Sequence, residues 1–161
     1  MRNKHELLLG VVYDPCLDEC FYAWKGGGAY LNGQSLQVSS VRSMEASFVV
    51  TELPYNSEQY ARTGEYLIRE LYGRVAGIRM NGSAAIALCY VAAGRFDAWL
   101  EAFLGKWDFS AAALIVQEAG GRVTDFYGNA GFIDGHHVVA TNGWLHPFLL
   151  ELVQKAMPLG M

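Results

Sequence analysis

A layered α/β fold, with helices on both faces of a sheet, is what this 161-residue sequence predicts. Three observations carry that expectation. From Ser47 onward, short β-branched runs alternate with amphipathic or small-residue helical segments, the pattern that builds packed layers. Hydrophobic residues make up 52% and charged residues 17%, enough apolar surface for a real core and too little charge for disorder. The stretch Lys106 to Gly121 reads as a helix with an acid at its mouth and Gly120-Gly121 as its stop.

The first third reads as antiparallel β. Leu7 to Tyr13 is an apolar strand ended by Asp14-Pro15, and Glu19 to Trp24 is its aromatic partner. Gly26-Gly27-Gly28 breaks that strand, and Ala29 to Leu31 resumes before the tight-turn pair Asn32-Gly33. The glycine triplet lacks a following Lys-Ser/Thr and opens no helix, so it is a bulge or turn rather than a phosphate loop. A dinucleotide oxidoreductase is disfavoured as well, because no Gly-x-Gly-x-x-Gly follows a strand.

The polar segment Gln37 to Ser43 is the expected internal boundary, dividing β strands at 1–43 from an α/β unit at 44–161. Ser47 to Leu53 is a strand ending at Pro54. Ser57 to Tyr72 is a helix with Tyr60, Leu67, Ile68 and Leu71 at apolar positions. Arg74 to Met80 is a strand, Ser83 to Ala93 a small-residue helix, and Phe96 to Leu100 a strand leading to Glu101. After the Lys106 helix come a strand at Arg122 to Asp125, a turn-rich loop to Gly135, a strand at His137 to Thr141 and a closing helix at Trp144 to Ala156.

Charge and composition exclude several classes. The net charge of −4 argues against a nucleic-acid or acidic-membrane surface, and no apolar run is long enough to span a bilayer. The polar start, Met1 to Glu6, does not resemble a signal peptide. Cys16, Cys20 and Cys89 are odd in number and lack zinc-ligand spacing, which fits a reducing, cytoplasmic setting. His5, His136, His137 and His146 form no ligand motif and read as surface or loop residues.

Three features fall at strand ends and helix starts, where α/β sheets gather their ligand crevice. Asn81-Gly82-Ser83-Ala84 joins a strand to a helix, and the N–H groups of Ser83 and Ala84 can donate to a ligand oxygen. Glu101 stands just after a strand. Asp108 follows seven residues later in the first turn of a helix. An acid there serves as a helix cap, and it also sits where a ligand for a hard cation belongs.

The run Trp107-Asp108 through Glu118-Ala119-Gly120-Gly121 resembles the second signature of the inositol monophosphatase family, which reads Trp-Asp-x-Ala-Ala-Gly, an apolar pair, then Glu-Ala-Gly-Gly. Ser110 and Ala112 depart from its usual Ala and Gly. Gly10-Val11-Val12-Tyr13-Asp14-Pro15, Gly28 to Gly33, Gly82-Ser83-Ala84 and Phe96 to Glu101 stand in the family's order and spacing, and the Glu101-to-Asp108 interval resembles its inositol-phosphate branch. The resemblance implies an inositol-monophosphatase-like fold comprising antiparallel strands of a first, α+β domain and a C-terminal α/β sandwich. It implies Mg²⁺ held by Asp108, and a phosphorylated polyol or sugar bound by Glu101, Gly82, Ser83 and Ala84. It further implies Mg²⁺-dependent phosphomonoester hydrolysis. A homodimer is the expected assembly, the oligomeric state being left open by the sequence, and the charge argues against nucleic acid and membrane as partners.

One family element is missing. The first signature, Asp-Pro-x-Asp-Gly-Thr-x-Asn, supplies two metal carboxylates. Asp14-Pro15-Cys16-Leu17-Asp18-Glu19 is not that motif, since its second Asp falls one residue late and no Gly-Thr follows. The sequence therefore reads as the C-terminal portion of such an enzyme, with no complete catalytic set and no turnover by itself. The rival reading is a non-catalytic polyol- or phosphate-binding or assembly module.

Overall fold

The computed structural model describes residues 1, 6–52, 57–130 and 136–157, together with the backbone but not the side chains of residues 57–60 within a helix. Its strands form two sheets. The first contains β1 (Leu9–Asp14), β2 (Glu19–Trp24), β3 (Ala29–Leu31) and β4 (Gln34–Ser35), paired antiparallel in sequence order. The second contains β5 (Phe48–Thr51), β6 (Gly77–Arg79), β7 (Ala98–Ala102), β8 (Arg122–Thr124) and β9 (His137–Thr141), in the order β6-β5-β7-β9-β8. β5 runs parallel to β6 and β7, whereas β9 is antiparallel to both β7 and β8.

Helices cover both faces of the second sheet. On one face α1 (Ser57–Leu71) and α4 (His146–Ala156) pack with Val49, Leu100, Phe126 and Val139. On the other lie α2 (Ala84–Ala92) and α3 (Lys106–Glu118), sandwiched between the two sheets. Their sequences match that setting. Ala87, Leu88, Cys89, Val91 and Ala92 are buried around α2, and Phe109, Ala112, Ala113, Leu114, Ile115 and Val116 around α3. A helix apolar on most sides is one enclosed by layers rather than one laid on a surface. The order is thus α1/α4, mixed sheet, α2/α3, antiparallel sheet.

The hydrophobic cluster around α2 and α3 joins Phe21, Ala23 and Ala29 of the first sheet to Val50, Trp99 and Val138 of the second. Contact is close at Gly10, where an added Cβ would lie 2.3 Å from the Ala111 carbonyl oxygen of α3. Glu118, at the other end of α3, accepts N–H bonds from Gly26 (2.9 Å) and Gly28 (3.0 Å), so the glycine triplet is a turn wrapped on a helix carboxylate. The segment after β4 is fastened too: Asn142 donates to Ser39 Oγ at 2.9 Å and to the Val41 carbonyl at 2.7 Å, while Asp97 accepts the Phe48 N–H at 2.7 Å. β1 is the edge of its sheet, and Val11 and Tyr13 are exposed on it.

The structure departs from the sequence reading at several points. β4 was not expected; it is the second arm of a hairpin turned at Asn32-Gly33, with only two polar residues to signal it. β7 extends to Ala102 through its pairing with β9, so Glu101 lies inside a strand rather than just after one. Leu53 and Pro54, the expected end of the β5 strand, lie outside the described residues, as do 131–135 of the expected loop and His5. His146 is not a surface histidine. It is fully buried at the start of α4, with Nε2 3.0 Å from Thr124 Oγ1 and Nδ1 3.1 Å from Thr141 Oγ1. Among the described residues no helix is long and apolar enough to cross a membrane.

Candidate binding cleft at the strand ends

The three parallel strands β6, β5 and β7 present their carboxyl ends to one edge of the second sheet, and the chain places an acid or a helix start after each. Glu52 follows β5 directly, Asn81 to Ser83 connect β6 to α2, and β7 carries Glu101 before leading to α3. These pieces enclose a cleft of about 400 Å³ lined by Glu52, Gly82 to Ala85, Glu101, Phe103, Leu104, Trp107 and Asp108. All five residues singled out from the sequence, Gly82, Ser83, Ala84, Glu101 and Asp108, therefore face one space.

Each is held there by local chemistry. Gly82 takes a left-handed φ of +73°, which lets the chain reverse from β6 into α2. Ser83 is the N-cap of α2, its hydroxyl accepting the Ile86 N–H at 3.4 Å. The first residues of the helix, Ala84 and Ala85, line the cleft, and the opening N–H groups of a helix have no partner inside it. Asp108 is the third residue of α3, and its Oδ2 accepts the Gly105 N–H at 2.9 Å. It thus does serve as a helix cap, through a backward bond from the first turn. Two helix starts, each with partial positive charge, meet in the cleft.

Glu52 was missed by sequence reasoning. Its Oε1 accepts the N–H of Asn81 at 2.6 Å and of Gly82 at 2.9 Å, so it fixes the loop that opens α2. The available signal was the one used for Glu101, a carboxylate at the end of a parallel strand. With three carboxylates lining one space, burial, followed by repulsion from Glu52 and Asp108, pushes the Glu101 carboxyl up to about 7. At neutral pH it can donate as well as accept a hydrogen bond.

The fit of a metal is a separate question. Mg²⁺ requires near-octahedral oxygen ligation. Among the described residues no group of three or more His, Cys, Asp or Glu side chains comes together to hold a metal ion. Asp108 already spends one oxygen on Gly105. The described residues do not by themselves fit Mg²⁺.

Fold and cleft together define a layered α/β protein that gathers acids and helix mouths at the ends of parallel strands, a setting suited to an oxygen-rich ligand. The chain belongs to the inositol monophosphatase family, whose model matches residues 2–157. It is 44% identical to Nus factor SuhB of Pseudomonas aeruginosa over 159 residues, covering 98% of this chain and 59% of that protein. It is 36% identical to inositol-1-monophosphatase of Rhizobium meliloti over 160 residues, again covering 98% and 59%. Among solved structures, the Thermotoga maritima IMPase superposes with a TM-score of 0.87 at 35% identity, covering 97% of this chain and 59% of that one. The chain thus spans less than two thirds of the length of each of these relatives.

Proposed function

We propose that the cleft binds a phosphorylated polyol, in the manner of an inositol monophosphate site. Glu101 exchanges hydrogen bonds with ligand hydroxyls, and the Ser83 and Ala84 N–H groups donate to ligand oxygen. The starts of α2 and α3 supply positive potential for phosphate. Asp108 would offer one oxygen to Mg²⁺, and the metal, were its other ligands supplied, would bring the charge neutralisation and water activation that phosphomonoester hydrolysis needs. Among the described residues no further ligand set gathers, and on this reading the chain binds with little or no turnover. The observation that carries the reading is the convergence of Glu52, Glu101, Asp108 and two helix mouths on one cleft of about 400 Å³. Calorimetry with myo-inositol 1-phosphate tests it: binding is expected, and Glu101→Ala weakens it about tenfold by removing the hydrogen-bonding group altogether. Equal binding by the variant overturns the assignment.

A second reading, an assembly module, is favoured by the 44% identity to a relative named as a Nus factor and by the exposed Val11, Tyr13 and Trp24 on the first sheet. An exposed apolar edge strand invites pairing with a second copy. Sedimentation velocity decides it: assembly through β1 predicts concentration-dependent dimers that Val11→Lys abolishes, and a Val11→Lys protein that dimerises like the parent contradicts it.

A further inference from the structure

Phe103 has a φ of +67°. A bulky L-residue there is uncommon and strained, and such strain persists only where the surroundings hold it. Two of its contacts are with the β9 end: the Phe103 N–H points to His137 Nδ1 at 3.4 Å, and its ring lies 6.5 Å from that of His136. The left-handed residue directly follows β7, two positions after Glu101; it lines the same cleft and remains 48% exposed. Trp107, also on the lining, is 81% exposed. The cleft therefore sets aromatic surface beside hydrogen-bonding groups, the division of labour common in small-molecule sites. A cyclic polyol fits both: its hydroxyls lie around the rim of the ring, and its C–H bonds form an apolar face.

We infer that Phe103 is a specificity-determining residue, whose strained backbone sets an aromatic wall against the apolar face of a ring-borne phosphate and disfavours open-chain phosphomonoesters. This rests on the polyol-phosphate reading of the cleft. Glu101 and the helix mouths bind what both ligand classes share, namely hydroxyls and phosphate, whereas the wall rewards only a ring.

The test is calorimetry on the full chain with myo-inositol 1-phosphate and glycerol 2-phosphate, using Phe103→Gly and Phe103→Asn. Both replacements tolerate the left-handed backbone and remove the ring. The parent chain is expected to prefer the inositol ligand, and each variant to lose about three- to tenfold of that preference. Melting temperature should hold or rise in the glycine variant as strain is relieved. An unchanged preference in both variants overturns the inference. So does a fall in melting temperature with equal loss for both ligands, which marks a packing role. Failure of the underlying reading looks different: neither phosphate binds the parent chain, or binding ignores Glu101→Ala.

Discussion

Glu52 accepts the Gly82 backbone N–H at 2.9 Å, so the acid at the end of one parallel strand holds the loop that opens the helix beyond its neighbour. The same carboxylate raises the affinity of Glu101 for its proton, as the second cause after burial. Its two effects separate by mutation. Glu52→Gln keeps an acceptor for the loop and removes the charge, so stability in urea should change by less than about 0.5 kcal/mol. Glu52→Ala also removes the acceptor and should lose about 1 kcal/mol, the partly exposed N–H groups turning to water. Carbon-detected NMR titration should show the Glu101 carboxyl titrating at lower pH in both variants. A Glu101 titration that ignores Glu52 contradicts the arrangement.

Two buried titrations oppose each other. Glu101 rises from its ordinary 4.5 to about 7, so the native state binds the extra proton and stability falls as pH climbs between those values. His146 is lowered from 6.5 to about 4, chiefly by burial and then by Arg122. Here the unfolded state binds the extra proton, and stability falls as pH drops through that window. Between pH 6.5 and 4.5 the two nearly cancel. Glu101→Gln is therefore expected to raise stability at pH 8 by about 1–2 kcal/mol, allowing for partial solvent screening. It should also steepen the loss of stability on acidification. Urea denaturation at several pH values measures both, and a pH profile parallel to that of the parent chain counts against them.

Gly10→Ala probes the contact between the two layers. The new methyl would meet the Ala111 carbonyl oxygen at 2.3 Å, backbone against backbone, with no side chain free to move aside. β1 must shift away from α3, at about 2–3 kcal/mol by the cost of overpacking. Thermal unfolding should report a clear drop in melting temperature, whereas an unchanged value contradicts this contact.

Much of the site was legible because its signals are local. The seven-residue interval from Glu101 to Asp108 spans a strand end and the next helix start, so both acids reach the same cleft. Gly82 and Ser83 announce a strand-to-helix turn by residue type alone. What stayed hidden depends on distant partners. Glu52 resembles any solvated acid before a turn until the loop 29 residues away donates to it. His146 resembles any polar loop histidine until Thr124 and Thr141 close on its two nitrogens. The left-handed backbone of Phe103 contradicts residue preference and is imposed by tertiary contacts, so local reasoning could not find it.

The most direct measurement of the central claim is phosphate release from myo-inositol 1-phosphate by this chain in the presence of Mg²⁺. On the roles proposed for Asp108 and Glu101, a cleft with no gathered metal-ligand set among its described residues should bind without turning over. The expected result is release indistinguishable from the protein-free control, with ligand binding intact. Robust Mg²⁺-dependent release that Asp108→Asn abolishes would show a working metal centre and contradict the account.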